Sequence, residues 1–307
     1  MSRRPFRPAY GPWALVAGGS EGLGAAFADE LGRRGLNLVL VARRPEPLAE
    51  AASRLRRARE VEVETVAADL GSPDATGLIA DAVGGREVGL VVANAALAPA
   101  GPFLTRSTAE VQAAVDLNCR AAVLLAHRFL PEMVARGRGG LVLVSSLAGL
   151  QGVPNLAVYS ASKAFLISLA EALWAETRGA GVDVLASCPG AVTTPGYQLA
   201  ARRQAPGTMS AAQVAVTTLD ALGAGFRVVP GQLNRVSAFA LSRLVPRRAA
   251  IAVFGRATLA ALNENSSQNG TQTELQAGPQ IELQAGTKAE PQAGAPPGSE
   301  PSAGDTR

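Results

Sequence analysis

The chain has 307 residues, 48% of them apolar, enough for one large core. With 4% aromatics, that core must be built from Ala, Val and Leu. The net charge of +4 divides into an acidic stretch, residues 263–307 with six acids against two bases, and a body carrying +8 without a basic stripe; a nucleic-acid partner is therefore not expected. No run approaches the roughly 18 uncharged apolar residues of a spanning helix, and Met1-Ser2-Arg3-Arg4-Pro5 is followed by no apolar leader core.

Cys119 and Cys188 lie far apart, with neither metal-ligand nor CxxC spacing, and read as small buried hydrophobes. A soluble, cytoplasmic, metal-free protein is expected.

After an N-terminal arm (residues 1–10), Trp13 to Ala17 reads as a strand. The turn Gly18-Gly19-Ser20-Glu21-Gly22-Leu23-Gly24 follows, and a helical pattern then runs to Leu31. Glycines there let the backbone approach a pyrophosphate, and free amides at a helix N-terminus hold its charge. The spacing is G-x-x-x-G-x-G, and a tight turn also needs glycine with no ligand. A second strand, Asn37 to Ala42, ends before Arg43 and Arg44. NAD-selective sites place an acid near this strand end; Ala42 leaves that place empty, and two arginines suit a 2′-phosphate.

Glu60 to Ala68 reads as a third strand ending in Asp69-Leu70, and Val88 to Ala93 as a fourth ending in Asn94-Ala95-Ala96. A helix is predicted from Ser107 to Ala135, broken late by Pro131. It carries Asn118 and His127, the chain's one histidine, which reads as a packing or surface residue. The apolar run Leu141 to Val144 is a fifth strand that delivers Ser146 to the sheet's edge. The next helix, about Val158 to Arg178, carries Tyr159 and Lys163, four apart and so on one face. Only two lysines exist, and Lys288 is the other, so Lys163 stands alone in the body. A hydroxyl, a phenol and an ammonium converging on one point suit proton transfer to a carbonyl oxygen.

Strand Val182 to Ser187 leads into Cys188-Pro189-Gly190-Ala191-Val192-Thr193-Thr194. A helix (about Ser210 to Leu222) and a short strand (Phe226 to Val229) complete the body. Strands alternating with helices predict an α/β, Rossmann-like doubly wound parallel sheet of about seven strands with helices on both faces, over residues 11–232. Its ligands bind beyond the carboxyl ends of the strands. In residues 233–262, arginines interrupt apolar positions at helical spacing and Pro246 splits the segment in two. Such helices cap an apolar cleft, make a subunit contact or lie on an anionic membrane, and packing is the preferred reading. Residues 263–307 are low in complexity, with Glu274-Leu275-Gln276-Ala277-Gly278 recurring at 282–286, and are expected to be disordered.

Taken together, residues 11 to about 230 resemble the short-chain dehydrogenase/reductase family. The match is carried by Gly18-x-x-x-Gly22-x-Gly24, Asn94-Ala95-Ala96, Asn118, Ser146, Tyr159-x-x-x-Lys163 and Pro189-Gly190-x-Val192-x-Thr194. The run Gly11 to Leu48 is most similar to the steroid dehydrogenase and 3-ketoacyl reductase branch. Two positions depart from the family pattern: Ala17 stands where threonine is usual, which should loosen the turn, and Ala96 where glycine is usual.

The resemblance implies Tyr159 as acid/base, Ser146 on the substrate oxygen, Asn118 holding a water, and Lys163 on the nicotinamide ribose. It implies Val192 and Thr194 at the carboxamide, Asp69 and Leu70 at the adenine, and a cofactor site completed by Ser20, Glu21, Leu23, Arg43, Arg44 and the Asn94 loop. An ammonium about 5 Å from the phenol, at an effective dielectric near 20, should lower its pKa by roughly two units. The expectation is an NADP(H)-dependent enzyme interconverting a carbonyl and an alcohol on an apolar substrate. Family members associate through the two long helices, so a dimer or tetramer is implied. The rivals are a non-catalytic NADP-binding sensor or scaffold and a membrane-surface protein acting through residues 233–262.

Overall fold

The computed structural model describes residues 5–194, 205–252 and 255. All lie in the first of the chain's two units, Met1–Gln268; the second, Asn269–Arg307, falls outside the described residues. So do the low-complexity stretch 263–307, the distal part of 233–262 and residues 195–204.

Seven parallel strands form the centre: β1 (Trp13–Ala17), β2 (Asn37–Ala42), β3 (Val63–Ala67), β4 (Val88–Ala93), β5 (Gly139–Val144), β6 (Val182–Ser187) and β9 (Arg227–Val228). Their order is β3-β2-β1-β4-β5-β6-β9. A small second ladder joins β7 (Val192–Thr193) to β8 (Met209–Ser210). Every residue of β1, β4 and β5 is buried, as a sheet covered on both faces requires.

Successive strand residues serve opposite layers. On one face Val16, Leu38 and Leu40 meet Phe27 and Leu31 of α2 (Gly22–Arg33) and Leu48 of α3 (Pro45–Arg59). On the other, Leu15, Val91 and Leu141 meet Ile79 of α4 (Ala75–Val83), Leu125 and Phe129 of α6 (Ala121–Arg136) and Leu166 of α7 (Ala157–Thr177).

Three boundaries differ from the sequence reading. Strand β3 begins at Val63 rather than Glu60, because Glu60 (φ 52°) is the left-handed cap of α3, a place usually announced by glycine. The long helix starts where Ser107 and Glu110 form a capping box, but Pro131 does not break it. The break is a π-type turn, Asp116–Arg120, between α5 (Thr108–Val115) and α6, and α6 continues through Pro131 to Arg136. A proline inside a helix costs about 3 kcal/mol. Burial of Phe129, Leu130 and Met133 on both sides of it offsets that at about 1.5–3 kcal/mol each. The N-terminal arm is no loose end: residues Phe6–Tyr10 form α1, and the Tyr10 hydroxyl donates to Asp183 Oδ2 at 2.6 Å.

The sheet order reverses between β1 and β4, and the glycine turn sits at that point. Gly18 N and Gly19 N donate to Val41 O (2.7 and 3.1 Å), while Asn94 N and Ala95 N donate to Ala17 O (3.1 and 2.9 Å). Asn94 Nδ2 also donates to Gly18 O at 3.1 Å. The loosening expected from Ala17 is therefore absent, since main-chain amides and the Asn94 amide tie the turn. A Cβ on Gly24 would lie 1.8 Å from Gly18 O. Gly24→Ala should therefore lower the unfolding free energy in urea by about 3 kcal/mol. Gly77→Ala, whose Cβ meets nothing within 4 Å inside α4, should raise it by about 0.5–1 kcal/mol.

Candidate active site

Beyond the carboxyl ends of β1 to β4 lies a crevice of about 430 Å³. Gly18, Ser20, Glu21, Gly22 and Leu23 line it from the turn, and Arg43 from the end of β2. Asp69 and Leu70 follow β3, Asn94, Ala95 and Ala96 follow β4, and Thr194 comes from the segment after β6. Sequence reading did not mark Ala42, Ala68, Leu97 and Leu117 as lining residues, apolar positions with no chemical signature, each beside a residue it did mark. Gly24 stands behind the lining, where its missing side chain lets α2 approach the turn. Pro189, Gly190 and Val192 do not reach the crevice. Pro189 O accepts from Leu147 N at 2.9 Å, Gly190 packs on Asn234, and Val192 pairs with Met209.

The crevice fits a dinucleotide on its own features. Helix α2 begins at Gly22 with no side chain capping its first amides, the place where a phosphate binds. The Arg44 guanidinium is held by the Glu21 carboxylate, so these two predicted contacts are spent largely on each other. Arg43 is exposed and its side chain has no hydrogen bond or ion pair among the described residues. It is the cation left available at the end of β2. Asp69 Oδ1 accepts from Gly71 N at 2.9 Å, a turn that fixes the wall after β3.

The polar cluster gathers at the end of β5, next to β4 in the register that pairs Leu143 with Ala93. Asn118, in the π-type turn, is 1% exposed. Its Nδ2 donates to Leu97 O (2.8 Å) and Ser162 Oγ (2.9 Å), and its Oδ1 accepts from Leu97 N at 2.8 Å. Ser162 Oγ in turn donates to Tyr159 O at 2.8 Å. Both amide protons of Asn118 are thus committed, so a water held by its side chain would use the second lone pair of Oδ1. Ser146 caps the 3-10 turn Leu147–Leu150, its Oγ accepting from Ala148 N at 3.1 Å, and its hydroxyl is near enough to the Tyr159 phenol to favour its ionised form. Lys163 is 2% exposed; its Nζ donates to Val144 O at 2.8 Å and lies 5.5 Å from the Tyr159 ring centre. Neither Tyr159 nor Lys163 is among the residues that line the crevice.

The electrostatics reverse one expectation. Burial raises the Tyr159 phenol above its ordinary range, against the pull of the Ser146 hydroxyl. Lys163 is itself lowered to about 8 by burial. Lys163 has left water and Tyr159 is half-buried, and desolvation moves the phenol in the direction opposite to the acidification expected from a neighbouring ammonium. Near neutral pH the phenol keeps its proton, ready to donate, beside an amine whose own proton is easily lost. Cys119 and Cys188 are free thiols; burial raises both, Cys188 to about 11. His127 is exposed. Among the described residues no three His, Cys, Asp or Glu side chains gather at a metal-binding distance.

Folding lowers the pKa of Lys163 from 10.5 to about 8, so the unfolded chain binds more protons between those values. Native stability therefore rises with pH through that window. Relative to Lys163→Met, the wild type should gain on the order of 3 kcal/mol of unfolding free energy as pH is raised across it. A pH-independent difference in urea melts would show that Lys163 carries no buried charge.

Residues 12–205 match the family described as short chain dehydrogenase. A 7beta-hydroxysteroid dehydrogenase from Mediterraneibacter gnavus is 30% identical over 238 residues, 76% of this chain and 90% of that protein. The human inactive hydroxysteroid dehydrogenase-like protein 1 is 35% identical over 196 residues, 63% of this chain and 59% of that protein. A solved short-chain dehydrogenase from Sphingobium yanoikuyae in complex with NADPH superposes with a TM-score of 0.66 at 26% identity, covering 86% of this chain and 98% of that one.

Proposed function

Because the chain belongs to the short chain dehydrogenase family of oxidoreductases acting on CH–OH groups, we propose that it is an NADP(H)-preferring enzyme interconverting a ketone and an alcohol on an apolar substrate. The observation that carries this reading is the gathering of half-buried Tyr159 and Ser146 with buried Lys163, Tyr159 and Lys163 one helical turn apart and the Lys163 Nζ 5.5 Å from the Tyr159 ring centre. A nicotinamide, when bound, supplies or accepts the hydride. Tyr159 holds the proton that the substrate oxygen takes up, and Ser146 orients that oxygen. Lys163, depressed by burial, is placed to replace the proton Tyr159 gives up. Asn118 fixes the main chain at Tyr159 through Ser162, so the phenol is aimed before substrate arrives.

NADP over NAD rests on Arg43, the uncommitted cation at the end of β2, and accords with the NADPH-bound relative. The apolar substrate, steroid or 3-oxoacyl in type, rests on the branch resemblance and on the steroid dehydrogenase relative. Association of copies is supported by Val115, Val123 and Phe165, exposed apolar side chains on α5, α6 and α7. The two free thiols suit a cytoplasmic setting. The rival is a sensor that binds nucleotide without turnover, and the human relative named inactive gives it substance. Against it stands the complete proton-transfer set, which a sensor does not need.

Tyr159→Phe should lower kcat by about 10²- to 10⁴-fold while leaving NADPH affinity unchanged. Turnover near the wild-type rate would take Tyr159 out of the mechanism. Arg43→Ala should weaken NADPH binding by about 10- to 100-fold and NADH binding little; equal losses would discard the phosphate contact.

A further inference from the structure

Between Asp220 and Glu264 the chain has no acidic residue, yet it carries Arg227, Arg235, Arg243, Arg247, Arg248 and Arg256. Many arginines elsewhere are neutralised, as Arg33 and Arg34 are by Glu30, Arg59 by Asp29 and Arg138 by Glu87. The side chains of Arg235, Arg243, Arg247 and Arg248 are exposed and form no ion pair among the described residues.

Beside them run the helix Gln232–Phe239 and the π-type turn Ala240–Leu244. The inner face of this unit is fixed: Asn234 Nδ2 donates to Gly207 O and Pro230 O, both at 3.0 Å, and Ala238 is buried. Farther along, Gln151 Nε2 donates to Ala250 O at 3.3 Å. The outer face presents Leu233, Val236, Phe239 and Leu244 at 53–70% exposure, four of the twelve large apolar side chains exposed among the described residues.

We propose that this face docks peripherally on an anionic lipid surface, with the four apolar side chains at the headgroup–acyl boundary and the arginines on the phosphates. An amphipathic helix with a basic rim binds in this way, and arginine stems reach the headgroups while lying along the apolar surface. Two other occupants fit less well. A polyanion such as nucleic acid leaves the apolar ridge in water. A second copy in a two-fold contact brings four unpaired arginines against their own equivalents. The helix packs on the Gly190 loop, in the same segment as Thr194, so docking would hold the site's edge near the bilayer. The proposal does not depend on the catalytic reading, and its test requires no turnover.

The full-length chain should float with vesicles of phosphatidylcholine and phosphatidylglycerol, not with phosphatidylcholine alone, and the binding should weaken as salt is raised. Arg235→Gln and Arg243→Gln should each lower partitioning about fivefold. Val236→Ser combined with Phe239→Ser should abolish flotation while melting temperature and NADPH affinity stay unchanged. Absence of flotation at low salt would overturn the proposal, as would flotation indifferent to the serine pair. Loss of an oligomer on gel filtration with that pair would also overturn it, assigning the face to a second copy.

Discussion

One buried amide holds together the polar cluster at the carboxyl end of β5. Asn118 satisfies the main chain of Leu97 in both directions and passes a third hydrogen bond through Ser162 to the carbonyl of Tyr159. Three segments far apart in sequence are thereby fixed to one another: the loop after β4, the wide turn between α5 and α6, and the first turn of α7. Removing this amide would leave its buried partners unsatisfied, at about 1–3 kcal/mol each. The wide turn is part of the device. Five residues pair as a π-type turn there, and such turns in an otherwise regular helix commonly occur at functional sites.

The charge arrangement follows from the same burial. An ammonium 2% exposed, with one main-chain acceptor, is costly, and its pKa falls accordingly. A phenol in the same surroundings holds its proton more firmly. The pair is then a phenol that keeps its proton beside an ammonium that gives up its own more readily, rather than an acidified phenol beside a firmly charged cation. Local desolvation, not Coulomb attraction alone, sets which group gives its proton first.

The fold was largely legible because fully buried parallel strands read as uninterrupted apolar runs, and β1, β2, β4 and β6 fell where those runs fall. The glycine turn was legible for the same kind of reason: only the absence of a Cβ lets Gly18 O and α2 meet. What escaped was decided by tertiary contact. Glu60 adopts a left-handed cap with no glycine to mark it, and Pro131 stays helical because the core grips the residues around it. Glu21 and Arg44 read as two cofactor contacts, but their charges cancel across the turn, leaving Arg43 as the cation facing the crevice. The direction of the Tyr159 shift was illegible too, since spacing along a helix reports proximity and says nothing of water.

Tyr10 and Asp183 meet at the amino edge of the sheet, where Gly89 and Gly140 leave space for the α1 turn. The crevice opens from the opposite, carboxyl edge, a strand length or about 17 Å away. Immobilising the protein through α1 would therefore anchor it by the side remote from the crevice. A surface-tethered preparation would keep its nucleotide crevice facing solution.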